Sequence, residues 1–339
     1  MKKEENKNTI YKTTGFTNTY LKTNYAAVNF YLINAAFGPI NSNKKNRANP
    51  FHFKNDEVSG CLSNSRYNHD YFRSYKHTKN YSVQINANFF EMKKDFLLYA
   101  FLCYKLEKLN EDTSRKHLVL ELEIPFYELK VFFDITSKGE KSRQWIFDAL
   151  NRFQKTQVNI TNGNNFHSCQ LISGHSIIND NRSITVSFDK RIENIYRDFP
   201  SQVFIDLTTY KCIKSERAKK LFVYLFSITY QKLTLHLLRQ VLGHEIKSST
   251  GDITYSLPTK KSNAAIKSGF EELKEHGLLK SFKSTGKGIH TEFSFIRAEN
   301  NELDAVKKKM LETYLKELES KKSLKEEKKK NDKPLFDGM

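Results

Sequence analysis

The stretch "SNAAIKSGFEELKEHGLL", residues Ser262 to Leu279, decides how the chain folds. Ile266, Phe270 and Leu273 share one face at helical spacing, Gly277 breaks the pattern, and Leu278 opens an apolar segment. An earlier stretch, "SRQWIFDALNRFQKTQV", Ser142 to Val158, makes the same statement. Aligned without gaps, Ser142 falls on Ser262, Ile146 on Ile266, Leu150 on Phe270, Phe153 on Leu273 and Val158 on Leu278. Any two amphipathic helices share apolar spacing, so the overlay gains its weight from the flanks. At the same offset "FLCY" (Phe101 to Tyr104) falls on "LFVY" (Leu221 to Tyr224), and the neighbouring elements recur in order.

The first series begins with "DFLLYAFLCYKLEKL", where Phe96, Leu97, Ala100, Phe101, Tyr104 and Leu109 have helical spacing. "LVLELEI" alternates like a short strand, and Pro125 opens a second helix, "PFYELKVFF". "KGEKSRQWIFDALNRFQ" is a third helix, with Ser142 expected as its N-cap. Strands follow in "TQVNI", "SCQLISGHSII" and "SITVSFD". The second series is "KSERAKKLFVYLFSITY", then "LTLHLLRQVLG" as a short strand and a helix stopped by Gly243, then "TKKSNAAIKSGFEELKEHG". It ends in the hairpin "LLKSFKSTGKGIHTEFSFI", turned at Gly286 and Gly288, with Ile289, Thr291, Phe293 and Phe295 expected on one face. Helix, short strand, helix, helix, hairpin is the layout of a winged helix. The expected fold is α+β: two winged-helix domains in tandem, residues 81–202 and 203–300. An Asn/Tyr-rich basic arm precedes them at 1–80, and a charged tail follows at 301–339, helical first and a flexible tether from Ser323 onward.

The formal charge is +18 with a pI near 9.5, which asks for a polyanionic partner. The Lys-rich tail is not its source, because residues 301–339 hold 11 Lys against 9 acids. The excess lies on the arm and the body. The start "MKKEENKNTI" lacks the apolar core of a signal peptide, and "FLLYAFLCY" is too short to span a bilayer. Cys61, Cys103, Cys169 and Cys212 form no C-x-x-C pair. The expectation is a reducing cytoplasm, with no membrane, disulfide framework, zinc or other cofactor.

In a helix-turn-helix fold the last helix enters the major groove by its N-terminal residues. In the second series that helix would offer Thr259, Lys260, Lys261 and Ser262 to phosphates, and Asn263, Lys267 and Lys274 on its outward side. Asn263 has the amide geometry to pair with an adenine edge, or to cap the helix. Lys280, Lys283 and Lys287 would line the hairpin's DNA side. A single surface lysine is usually only solvated, so it is the cluster that points to DNA. The first series offers Lys138, Lys141, Arg143 and Gln144 at the same place. There Trp145 and Phe147 add apolar bulk, which fits either a self-association surface or inward packing.

With "YKCIKSERAKKLFVYLFS" between its two halves, the chain over residues 81–300 resembles the plasmid replication initiators that bind iterons. Their second domain opens with a Ser–x–x–Ala–x–x–Leu helix, here Ser215, Ala218 and Leu221. The resemblance implies binding of repeated origin DNA, origin opening, recruitment of host replication proteins such as the replicative helicase, and repression of its own promoter by a homodimer. It implies no enzyme activity. A transcriptional regulator of the same fold is the alternative. A nicking relaxase would need a His–hydrophobe–His metal pair, yet "FHF", "LHL" and "GHE" hold one His each. "TGKG" lacks the spacing of a phosphate loop. At the end, "PLFDGM" presents Leu335 and Phe336, which resemble the anchors of a sliding-clamp peptide without its usual Gln.

Overall fold

The computed structural model describes residues 25–29, 33, 37–38, 81–86, 90–110, 119–135, 141–162, 165–178, 182–192, 202–228, 231–247, 253–255 and 257–331. Lys138, Leu335 and Phe336 lie outside these residues, as does most of the arm.

In chain order the first elements are β1 (Tyr25–Asn29), β2 (Phe37–Gly38), β3 (Tyr81–Asn86) and β4 (Phe90–Glu91). A π-helical turn at Met92–Phe96 leads into α1 (Leu97–Leu109). β5 (Glu121–Pro125), α2 (Phe126–Phe132) and α3 (Lys141–Lys155) follow, then β6 (Gln157–Asn162), β7 (Asn165–Gln170), β8 (Gly174–Ile178) and β9 (Ser183–Ser187). β10 (Gln202–Asp206) and α4 (Leu207–Cys212) bridge to α5 (Glu216–Leu225), β11 (Lys232–Thr234) and α6 (Leu235–Val241). The rest is β12 (Glu245–Lys247), β13 (Ile253–Tyr255), α7 (Thr259–Glu275), β14 (Leu279–Thr285), β15 (Glu292–Arg297) and α8 (Asn300–Asn331).

Two of the sheets share a strand layout. Among the described residues one three-stranded sheet has the order β5-β9-β8 and another the order β11-β15-β14, each with a short strand laid antiparallel on the last strand of a hairpin. The aligned positions Ile146 and Ile266, Leu150 and Phe270, Phe153 and Leu273, Val158 and Leu278 are all buried. The gapless register itself fails between them. It would set Phe126 on Ile246 in β12, whereas the helix matching α2 begins at Leu235. The β12–β13 hairpin, which sequence reading did not foresee, compensates for the longer α1–β5 connection. The first half also carries an extra hairpin, β6–β7, with β3 on its edge. "SCQLISGHSII" is therefore two strands rather than one, broken at Leu171–Ser173.

Part of the arm belongs to the core. β1 pairs antiparallel with β10, and β2 runs parallel to β4. Phe37 is fully buried against Phe90, Phe96 and Tyr99, with ring centroids 5.1–5.6 Å apart. α1 is buried nearly all round, as befits a helix enclosed by both the arm and the body.

The motif Ser215, Ala218, Leu221 has a mechanical reading. Ser215 Oγ caps α5 by accepting from Ala218 N at 3.1 Å, and Glu272 on α7 accepts from Lys214 N and Ser215 N at 2.7 and 3.0 Å. Ala218 and Leu221 face Gly269 on α7. A Cβ there would stand 2.6 Å from Leu221 Cδ1, so any larger residue would push the Leu221 side chain aside at this crossing. Arg297 closes the other end of α5 by donating to Leu225 O and Ile228 O at 3.2 and 2.8 Å.

Two expectations are corrected. Ser142 is not the N-cap of α3, because the helix already includes Lys141. Helix α8 continues to Asn331 through the region read as a tether, since "KKSLKEEKKKN" has strong helix formers, alternating charge and no Gly or Pro.

Candidate nucleic-acid interface

The β14–β15 hairpin packs on α7 through aromatic rings. Phe270 stacks on Phe293 at 5.6 Å and 9°, and on Phe282 at 5.4 Å. Pro258 precedes α7, and Arg239 on α6 fixes its first turn from beneath. Arg239 Nε donates to Ser262 Oγ at 3.2 Å, and Nη2 to Leu257 O at 2.8 Å. Ser262 is fully buried, so it is a structural residue rather than a phosphate contact.

Asn263 is also engaged within the fold. Its Nδ2 donates to Thr291 Oγ1 at 3.2 Å and to Gly288 O at 3.4 Å, which ties α7 to the hairpin turn. It does not project outward as the helical period predicted, nor is it the N-cap, because α7 begins four residues earlier. Lys280 is exposed, but Glu299 and Glu302 hold it at 2.8 and 3.1 Å. Those hydrogen bonds keep its pKa above the ordinary lysine value. Lys280 is thus neutralised inside the chain, and Ile289 leaves the hairpin's inward face for a 3-10 turn at Gly288–His290.

What remains is a set of cations. Lys260, Lys261, Lys267, Lys274, Lys283 and Lys287 are exposed, and Thr259 is half-buried beside them at the helix start. Among the described residues the side chains of Lys260, Lys261, Lys267, Lys283 and Lys287 have no ion-pair or hydrogen-bond partner. Lys260 and Lys267 lie two turns apart on one stripe of α7, to one side of the buried Ile266, Phe270 and Leu273. The backbone N–H groups of the first turn and the helix dipole reinforce the attraction for an anion.

The corresponding helix of the first half differs. Arg143 is half-buried with its guanidinium 5.1 Å from the Phe126 ring, and exposed Gln144 donates to Asp148 at 2.9 Å. Lys141 lies in the first turn of α3. Trp145 packs edge-on against Phe133 at 5.0 Å, and Phe147 against Phe126 at 5.6 Å. The apolar bulk on this helix is therefore half-buried, with Trp145 and Phe147 packing on the body of the first half. Its reason is α2, whose aromatic residues stand directly against it.

Among the described residues no group of three or more His, Cys, Asp or Glu side chains could hold a metal ion, and no helix is long and apolar enough to cross a membrane. Cys169 and Cys212 are buried thiols whose pKa burial pushes up to about 12 and about 11, which suits packing rather than reactivity.

No protein of curated function matches the chain in sequence. Solved structures similar to it include the Pi initiator protein in complex with iteron DNA, at 13% identity and a TM-score of 0.44, covering 61% of this chain and 96% of that one. Domains 2 and 3 of RctB are similar at 10% identity and a TM-score of 0.43, covering 72% and 97%. Neither likeness is close enough to place a residue. Residues 74–226 match the model of the family described as "Initiator Replication protein, WH1". That segment, which runs from before β3 to just past α5, is what the chain shares with the replication-initiator WH1 family model.

Proposed function

We propose that the chain is a sequence-specific, double-stranded DNA-binding initiator of theta-type plasmid replication. In this reading it has two winged helices in tandem, at 81–202 and 203–300, and binds repeated origin sites. The observation that carries the reading is a combination. An initiator-family segment is followed by a second unit whose α7 and hairpin expose Lys260, Lys261, Lys267, Lys283 and Lys287. α7 enters the major groove, its lysines neutralise phosphates, and the first half makes a weaker contact through Lys138, Lys141, Arg143 and Gln144. The chain performs no bond chemistry itself. It opens the origin as a homo-oligomer and presents it to the host helicase, with Leu335 and Phe336 as a sliding-clamp contact.

The test starts from duplexes that the wild-type chain selects from a randomised pool. Footprints on tandem direct repeats fit an initiator, whereas a single palindrome fits the regulator. Lys260→Ala/Lys261→Ala should weaken binding to all duplexes and lower the salt slope by about one unit per lost contact. An unchanged affinity and slope would remove α7 from the interface. A peptide of residues 331–339 that fails to bind a sliding clamp at high concentration would end the clamp contact.

A further inference from the structure

We propose that Ile289 is a minor-groove wedge, an apolar side chain that the β14–β15 turn holds out to enter the groove beside α7. The proposal rests on the DNA-binding reading above. Ile289 is 65% exposed at the tip of the hairpin, in the 3-10 turn Gly288–His290. A single exposed isoleucine needs no explanation by itself. What sets this one apart is how firmly it is presented. The turn is anchored to α7 by Asn263 Nδ2, which donates to Gly288 O and Thr291 Oγ1. It is anchored to α6 by Leu235 N, which donates to Thr291 O at 2.9 Å. Thr291 is buried and closes the turn by donating to Gly288 O at 2.8 Å. Gly286, at φ 82°, leaves no room for a Cβ, which would stand 2.3 Å from His290 O. A turn fixed at this many points has already lost the freedom that a flexible loop would lose on binding.

The surroundings name the partner. Lys287, two residues before Ile289 in the turn, and Lys283, farther down β14, are exposed with no partner among the described residues. The nearest carboxylate along the strand, Glu292, is paired with Lys232 at 2.7 Å. An apolar point on a hairpin that carries unpaired cations suits a groove edged by phosphates better than an apolar protein surface. The choice of groove follows from size. A helix with its side chains is about 10–12 Å across and fills a major groove about 12 Å wide. A turn bonded to the flank of α7 therefore meets the phosphate strand and the minor groove beyond it. Apolar side chains in that groove part base steps that unstack readily, and so favour deformable sequences without a base hydrogen bond.

The test compares wild type, Ile289→Ala and Ile289→Leu on the duplex that the wild-type chain selects from a randomised pool. Ile289→Ala should bind about tenfold more weakly, the scale of one buried aliphatic side chain, with an unchanged salt slope. Ile289→Leu should restore most of the affinity. In the wild-type complex, 2-aminopurine placed along the flank of the site should brighten at one step, and Ile289→Ala should abolish that signal. Replacing A·T by G·C at that step should weaken the wild type, and inosine, which removes the minor-groove amino group, should restore it. Ile289→Ala should ignore both changes.

Three results would overturn the wedge. One is Ile289→Ala binding as tightly as wild type, with the same fluorescence. Another is a sensitivity to thymine-to-uracil exchange that vanishes in Ile289→Ala, which would put the side chain in the major groove. The third is a wild-type chain that selects no duplex, which sinks the DNA-binding reading as well. If Lys260→Ala/Lys261→Ala weakens binding while Ile289→Ala does not, the wedge alone fails.

Discussion

Tyr314 on α8 donates its hydroxyl to Asp134 Oδ2 at 2.6 Å, joining residues 180 positions apart. Asp134 stands at the end of α2 in a left-handed conformation, φ 53°, and also accepts Lys211 Nζ at 2.8 Å. Farther up the same helix, Lys307 meets Tyr25 Oη at 2.6 Å and Asp206 at 3.3 Å, and Glu317 meets Lys214 at 2.6 Å. α8 follows the second hairpin in sequence, yet it binds β1, α4 and the end of α2. It thereby fastens the last part of the chain to the first.

Tyr314→Phe should cost about 1 kcal/mol, the net worth of one hydrogen bond, in a urea unfolding titration. Amides of α8 should exchange faster over the same residues. If neither changes, the other contacts of α8, through Val306, Lys307, Met310 and Glu317, hold it without Tyr314.

Lys220 is fully buried and donates to Ile33 O and Phe37 O, both at 2.7 Å. It therefore ties Ile33 and Phe37 to α5. Lys220→Met keeps the volume but leaves two buried carbonyls without their donor, at about 1–3 kcal/mol each. Limited proteolysis should then cut within residues 30–36 sooner than in wild type. Equal cutting rates would show that Phe37 packing suffices.

Asn263→Ala should loosen the hairpin rather than relax specificity at one base. Amides of residues 286–291 should lose protection, and affinity should fall across all duplexes. Altered preference at one base pair with an undisturbed hairpin would return Asn263 to the reading face.

Lys219 is buried, with Nζ 4.3 Å from the Tyr210 ring centroid and donating to Tyr210 O. Burial, aided by the charge of Lys93, lowers its pKa from 10.5 to about 7. In the window between about 7 and 10.5 the unfolded chain holds a proton that the folded chain has released, so this group makes stability rise with pH there. Below about 7 both states are protonated and its contribution is flat. Lys219→Met should lessen the rise in the urea midpoint between about pH 7 and about pH 9. The same slope in the variant would assign the rise elsewhere.

The local periods were written in the sequence. Helical spacing gave α7 and the inward set Ile266, Phe270 and Leu273, and alternation with paired glycines gave the hairpin, because backbone period and turn chemistry depend on near neighbours. Which charges face water was decided only by the fold. Nothing along "SERAKKLF" marks its two lysines as buried, yet the carbonyls of Ile33, Phe37 and Tyr210 meet them inside. Lys280 read as a DNA contact until Glu299 and Glu302 came beside it, and Asn263 read as outward until the hairpin turn closed on it. The partners that decide each case come from distant segments, and no spacing along the chain encodes them. The lysines on α7 and the hairpin without a partner among the described residues are the part of the sequence's site that tertiary contacts left free to meet an anion.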